Sequence, residues 1–326
     1  MLELEPLLRR RWDAATLVHD HPPVRLTARK EAVLARACPP DRPSGGVLEV
    51  TRWGAGYVAD RLPSTGTRFD VVPGWFHYGP PDDPAVPEWH LNFASSVAFS
   101  TYALALFAQD EMQVLEHPAL MSVHEALVAE HHLPRTVEDG GRPTPVLVRG
   151  VERRCAIDTA PDTAAGRPRG LYGNEFERAP VQVILEATRV LDPPPRSRIL
   201  AIEAPAYGEG RYRADEIAFV LQTAWAGFAA ARAADDGGPV VIHSGYWGCG
   251  AYGGNRVLMV LLQCLAADAA GVGRLVLHAG SEDREALEGV AAAESIRAGA
   301  GESAGTDDAI RRMVDMGFRW GVGNGT

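Results

Sequence analysis

The chain has 326 residues, 46% hydrophobic and 23% charged, enough to bury a large core as one extended α/β domain or two smaller ones. A formal net charge of -10 argues against non-specific binding to nucleic acid or membrane, which needs clustered Lys and Arg. The N-terminus carries Glu3 and Glu5 where a leader would be basic, and no apolar run approaches the roughly 20 residues of a membrane span, so a cytoplasmic protein is expected.

Residues 1–45 read as two helical pieces, LEPLLRRRWDAATLVHD and TARKEAVLARA, closed by the turn-rich CPPDRPSGG, and form an N-terminal accessory segment. From Val47 short β-like runs follow, VLEVTRW, TRFDVV and EWHLNFA, with the breaker-rich YGPPDDPAVP ahead of the last. Phe99 to His117 is compatible with a helix that stops at Pro118, and a second helix is expected over 119–131. A strand PVLVRG, an irregular Arg/Gly/Pro-rich stretch (153–180) and a β-like run at 198–206 come next. The helix at 214–235 leads to the strand PVVIH, a glycine-rich turn, the helix RVLMVLLQCLAADAAG and the strand RLVLHAG. AGAGESAGT (298–306) reads as a linker before a last helix, DDAIRRMVDMGF. Strand, turn, helix, strand implies a parallel, buried sheet whose ligands sit at the carboxyl ends of its strands.

Cys38, Cys155, Cys249 and Cys264 are widely spaced with no CxxC pair, which points to reduced, buried thiols and neither a zinc site nor a disulfide framework. Glu130, His131 and His132 cluster, but adjacent histidines point apart on a helix or a strand, so no metal is expected there.

The turn, HSGYWGCGAYGGN at 243–255, has five glycines. Glycines let backbone N–H groups approach a ligand closely, and a turn feeding a helix N-terminus aims those donors and the macrodipole at one anion, most naturally a diphosphate. A Walker loop is excluded because the turn holds no lysine. A Rossmann fingerprint is formally present as Gly248-Cys249-Gly250-Ala251-Tyr252-Gly253, but the acid that should end the next strand is missing: Glu282 and Asp283 come too late and Asp268 falls inside the helix. A tight turn without a ligand is the remaining local alternative.

GYWGCGAYGGN, continued by RVLMVLLQCLAADAAG, resembles the diphosphate-binding segment of poly(ADP-ribose) glycohydrolases, whose pattern is close to GNWGCGAFGGD. A second motif of that family is VDFAN, a GGG loop, then QEE opening a helix that runs to NPEL. This chain has LNFAS at 91–95, QDE at 109–111 and HPAL at 117–120, in that order. The resemblance spans roughly residues 47–318 and implies a macrodomain-type three-layer α/β/α fold with a mixed sheet and accessory helices, so that residues 46–326 form the catalytic domain.

What the resemblance implies about function is cleavage of an ADP-ribosyl linkage, glycoside chemistry that needs an acid for the leaving atom and a base for water. Glu111 takes the place of the catalytic acid/base and Asp110 that of its ribose-positioning neighbour. Asn92, Phe93, Ser95 and Gln109 fall at ligand-facing positions, with Asn92 and Ser95 in the places of the Asp and Asn of VDFAN. Gly245 and Trp247 open the turn, and Gly248, Cys249, Gly250, Ala251, Tyr252, Gly253 and Gly254 are expected along the diphosphate. Tyr172 of GLYGNEF is a candidate clasping tyrosine. ADP-ribose and ADP-ribosylated protein are the implied partners, and no cofactor is implied. The family's GGG is replaced by Phe99-Ser100-Thr101, and Asn92 and Asn255 stand for aspartates. These departures favour ADP-ribose on a protein side chain, arginine first, over polymer; a polymer hydrolase and a non-catalytic binder are the alternatives.

Overall fold

The computed structural model describes residues 5–54, 56, 58, 60–138, 141–206, 208–300 and 305–323. In chain order the elements are β1 (Pro6–Asp13), α1 (Ala14–Asp20), α2 (Ala28–Ala37), β2 (Val47–Trp53), β3 (Arg68–Val72) and β4 (Glu88–Ala94). A short 3-10 turn (Ser100–Ala103), α3 (Gln109–Glu116), α4 (Ala119–Ala129), β5 (Val146–Glu152), β6 (Cys155–Ile157), α5 (Glu175–Arg178) and α6 (Val181–Ala187) follow. Then come β7 (Thr188–Val190), β8 (Arg196–Glu203), α7 (Ala214–Ala234), β9 (Val241–Gly245), α8 (Arg256–Ala270), β10 (Arg274–His278), α9 (Arg284–Ala300) and α10 (Thr306–Asp315).

Eight strands form one mixed sheet in the order β1-β2-β5-β8-β4-β9-β10-β3, while β6 and β7 make a separate ribbon. The half β8-β4-β9-β10-β3 is parallel and β1-β2-β5-β8 is antiparallel. Helices cover both faces, as the α/β/α reading requires. One core holds α7, α8 and α10 against Trp89, Leu91, Leu200, Ile242 and Leu275; the other holds α1 to α4 against Val50, Val148, Ile199 and Ala201. The chain leaves β4 toward one face, through α3 and α4, and leaves β9 toward the other, through α8. A crevice opens between neighbouring parallel strands whose connections part in this way.

Three sequence expectations change. Residues 6–13 are a strand and not a helix: burial alternates along PLLRRRWD, with Leu8, Arg10 and Trp12 turned inward, and pairing with β2 overrides the helix propensity of Leu and Arg. The N-terminal segment therefore supplies an edge strand of the main sheet. The expected helix from Phe99 to His117 is broken into the 3-10 turn, an irregular link at 104–108 and α3. Asp110 and Glu111 consequently sit in the first turn of α3 and not inside a longer helix. Finally, α7 is one helix long and apolar enough to match a membrane span, but Ile217, Val220, Leu221, Ala224 and Phe228 bury it in the core. Within the expected linker at 298–306, α9 runs to Ala300, α10 begins at Thr306, and 301–304 lie outside the described residues.

Candidate active site

The carboxyl ends of β4 and β9 open into a cleft of about 660 Å³. Its floor is the glycine turn between β9 and α8. The residue Gly248 adopts φ +75°, and a Cβ there would lie 2.5 Å from Ala204 Cβ, so only glycine fits this bend. Gly254 N–H closes on Gly248 O at 2.9 Å and Cys249 N–H on Tyr246 O at 3.1 Å. The amides of Gly248, Gly250 and Ala251 have no acceptor in the chain among the described residues. Free N–H groups in a turn of this kind are the donors from which anion-binding nests are built. Helix α8 adds the positive end of its macrodipole, and Asn255 caps it by accepting from Leu258 N–H at 3.1 Å.

The opposite wall is the start of α3. Gln109 is a strut: its Oε1 accepts from Phe93 N–H at 2.8 Å and its Nε2 donates to Leu91 O at 3.0 Å, which fixes α3 to the end of β4. Asp110, 5% exposed, accepts from Asn92 Nδ2 at 2.9 Å and from Thr101 Oγ1 at 2.6 Å. Burial raises its proton affinity, against those two hydrogen bonds and the charge of Lys30. Glu111, 3% exposed, is the third residue of the helix and accepts from Ala108 N–H through Oε2 at 3.0 Å, leaving Oε1 for a ligand. Burial first, and the neighbouring Asp110 second, push Glu111 up to about 7. Two adjacent carboxyls of unequal environment, one held by two donors and one poised near neutrality, are equipped for separate tasks in acid/base chemistry.

The cleft brings together most of the expected residues. Phe93, Ser95, Gln109, Asp110, Glu111, Tyr172, Gly245 and the turn from Trp247 to Tyr252 all line it. Trp247 contributes through its backbone, since its ring is wholly buried and its Nε1 donates to Ile202 O at 3.2 Å. Ser95 Oγ bonds Val97 O at 3.1 Å. Asn92 does not reach the cleft; fully buried, it acts only on Asp110. Gly253 and Gly254 lie behind the lining. A Cβ on Gly253 would meet the C-terminal tail, 3.1 Å from both Gly321 O and Gly323 N, and one on Gly254 would meet Gly248 O at 2.7 Å. That tail braces the turn: Gly321 N–H bonds Gly253 O at 2.8 Å, Asn255 Nδ2 bonds Arg319 O at 3.1 Å, and Trp320 stacks on Tyr212 at 4.2 Å.

Other residues enter without a sequence signal. Tyr172 stacks on Trp75 at 5.3 Å and 19°, and both face the cleft mouth. Burial raises the Tyr172 phenol to about 12. Phe76 packs edge-on to Phe93 and His278. Lys30, from α2, donates to the carbonyls of Tyr102, Leu104 and Leu106. Phe99, at the position expected to carry the first loop glycine, has a left-handed backbone at φ +62°, with its ring fully buried. Among Glu130, His131 and His132, Glu130 pairs with Arg10 at 2.5 Å, far from this cleft in the fold.

Residues 172–286 match the family model described as poly(ADP-ribose) glycohydrolase (PARG), macro domain fold. The match covers about a third of the chain and makes that stretch similar to the macro domain fold of this family. It contains Tyr172 and the whole glycine turn, and it begins after the acid pair. Solved structures similar to this chain include poly(ADP-ribose) glycohydrolase from Thermomonospora curvata bound to the inhibitor ADP-HPD, 20% identical over 86% of this chain and 97% of that one, TM-score 0.47. The Deinococcus radiodurans enzyme in complex with ADP-ribose is 13% identical, with 94% of each chain covered and a TM-score of 0.44. At this level of similarity nothing about the site transfers. No curated protein matches significantly.

Proposed function

We propose that this PARG-like macrodomain hydrolyses the linkage between ADP-ribose and a modified group. The observation that carries the reading is the pairing, across one cleft, of an anion nest at the glycine turn with Glu111 poised near neutrality beside Asp110. The nest receives the diphosphate, and the acids meet the distal ribose. As the bond from the anomeric carbon to the leaving atom breaks, the Glu111 carboxyl gives its proton to that atom. The carboxylate then takes a proton from a water whose oxygen bonds to the anomeric carbon, so Glu111 ends as it began. Asp110, held by Asn92 and Thr101, orients the ribose and faces the charge that develops on it.

The favoured substrate is mono-ADP-ribosylated protein, arginine-linked first. Of the three residues in the place of the family's glycines, Thr101 lines the cleft wall, followed along it by Leu104 and Leu106, and these side chains leave less width for a second ADP-ribose unit than for one slender side chain. A net charge of -10 also repels a long polyanion. An arginine guanidinium is a planar cation suited to pairing with Asp110 while Glu111 moves the proton.

Calorimetry with free ADP-ribose and AMP, and release of ADP-ribose from protein modified on arginine, on serine, on acidic side chains and with polymer, test both levels. Tighter binding of ADP-ribose than AMP and fastest release from arginine are expected. No binding would refute the family reading; binding without release from any substrate would leave an ADP-ribose binder; preferential cleavage of polymer would refute the substrate choice.

A further inference from the structure

The chemistry above uses two acids and a turn, and it leaves one buried charge without a task. Lys30 stands in α2 with 1% exposure. Lysine is almost never buried so completely without a counter-charge. Its ammonium has three N–H donors, and three carbonyls take them: Tyr102 at 3.2 Å, Leu104 at 2.6 Å and Leu106 at 3.1 Å. These acceptors alternate along the link that places Leu104, Leu106 and Ala108 on the cleft wall and ends at the cap of α3.

The arrangement is expensive. Burial pulls Lys30 down to about 8, against the attraction of Glu111, Asp110 and Glu177. An apolar side chain of similar length would fill the same space without desolvating a charge. The same three bonds suit a stretch that is not helical: in a helix the carbonyls of residues 102, 104 and 106 would point the same way along the axis from different sides and could not converge on one ammonium.

We propose that Lys30 is a positioning residue for the acid pair, a strut from the N-terminal segment that fixes the link ahead of Asp110 and Glu111 and sets a positive charge behind both. The proposal rests on the hydrolase reading of the site. Lys30 touches neither substrate nor reacting atoms. Its charge opposes the effect of burial on both carboxyls, so part of the Glu111 population is ionised near neutral pH and able to take the proton from water. Lys30 from α2 and Tyr172 from the segment before α5 face the pair, and Glu177 of α5, which itself pairs with Arg29 at 3.0 Å, acts on Lys30.

Lys30→Met, Lys30→Gln and Lys30→Arg separate tether from charge. With an ADP-ribosylated protein substrate, Lys30→Met is expected to lose about 100-fold in kcat, as a misplacement of about 1 Å does, with KM within about threefold. The acid limb of its pH profile should move to higher pH, because removal of a cation makes a carboxyl harder to ionise. Lys30→Arg should keep the limb in place and recover most of the rate. An unmoved limb in Lys30→Met, even at reduced rate, would make Lys30 a packing residue and overturn the proposal. Should circular dichroism show Lys30→Met unfolded, Lys30→Gln, which keeps a donor and loses the charge, decides by the same criterion. If the wild-type protein releases ADP-ribose from no substrate, the hydrolase reading fails by itself. The strut is then judged by the pH dependence of ADP-ribose affinity, which moves in Lys30→Gln and not in Lys30→Arg if the proposal holds, and is unmoved in both if it does not.

Discussion

Replacing Glu111 by Gln is expected to make the protein more stable and less active, and the two effects have one physical origin. The folded state holds the Glu111 carboxyl at about 7 where an exposed one titrates at 4.5. Between those values the folded chain binds the proton that the unfolded chain has released, so stability is lost as pH rises through the window and the loss is complete above it. At about 1.4 kcal/mol per pH unit, the full cost is about 3 kcal/mol, undiluted by solvent because the side chain is 3% exposed. Gln preserves the acceptor for Ala108 N–H and the shape of the side chain, but has nothing to ionise. Urea denaturation of both proteins at pH 5 and near pH 8 should therefore show the advantage of Glu111→Gln growing by roughly 2–3 kcal/mol. Burial holds Lys30 down to about 8, so its own window lies above that of Glu111. Release of ADP-ribose should fall by about 100-fold or more while ADP-ribose still binds. A stability difference that does not change with pH would show that Glu111 is not held protonated by burial. Full activity in the variant would remove it from the chemistry.

Asn92→Asp would place a second carboxylate 2.9 Å from Asp110, and like charges at that distance share a proton; the pH profile of activity should shift to higher pH, and a profile identical to wild type would show that Asn92 has no hold on the pair. Gly248→Ala puts a Cβ 2.5 Å from Ala204 in a backbone of positive φ, so ADP-ribose affinity measured by calorimetry should drop by at least about tenfold with the fold retained. Trp320→Ala removes the ring that stacks on Tyr212 and loosens the tail behind Gly253; weaker ADP-ribose binding is expected with kcat at saturation little changed, and unaltered affinity would show that the turn stands without its brace.

Local signals were enough for the strand-turn-helix around Gly248, because five glycines between a buried strand and an apolar helix have few backbone solutions, and for α7, α8 and β10, whose apolar runs are long. The candidate site was legible only through two separated motifs, LNFAS and QDE, read by resemblance. Periodicity failed where tertiary partners compete with local preference. PLLRRRWD favours a helix by composition, yet its Leu8, Arg10 and Trp12 alternate because β2 offers a free edge. AFSTYALALFAQDEM favours one too, yet Lys30 occupies the carbonyls at 102, 104 and 106, and α3 starts only at Gln109.

The sequence by itself determined the α/β class and the glycine-rich turn between a buried strand and an apolar helix, since both depend on residue types at short range; the two carboxyls were singled out by resemblance. The tertiary structure alone decided that Asn92 serves Asp110 and not the cleft, that Gly253 and Gly254 face the tail, and that Trp75 meets Tyr172 at the mouth. It also decided the proton affinity of Glu111. That property belongs to no residue type: it arises from burial and from Asp110, opposed by Lys30, groups 1 and 81 positions away, brought together only when α2 and α3 pack on one face of the sheet.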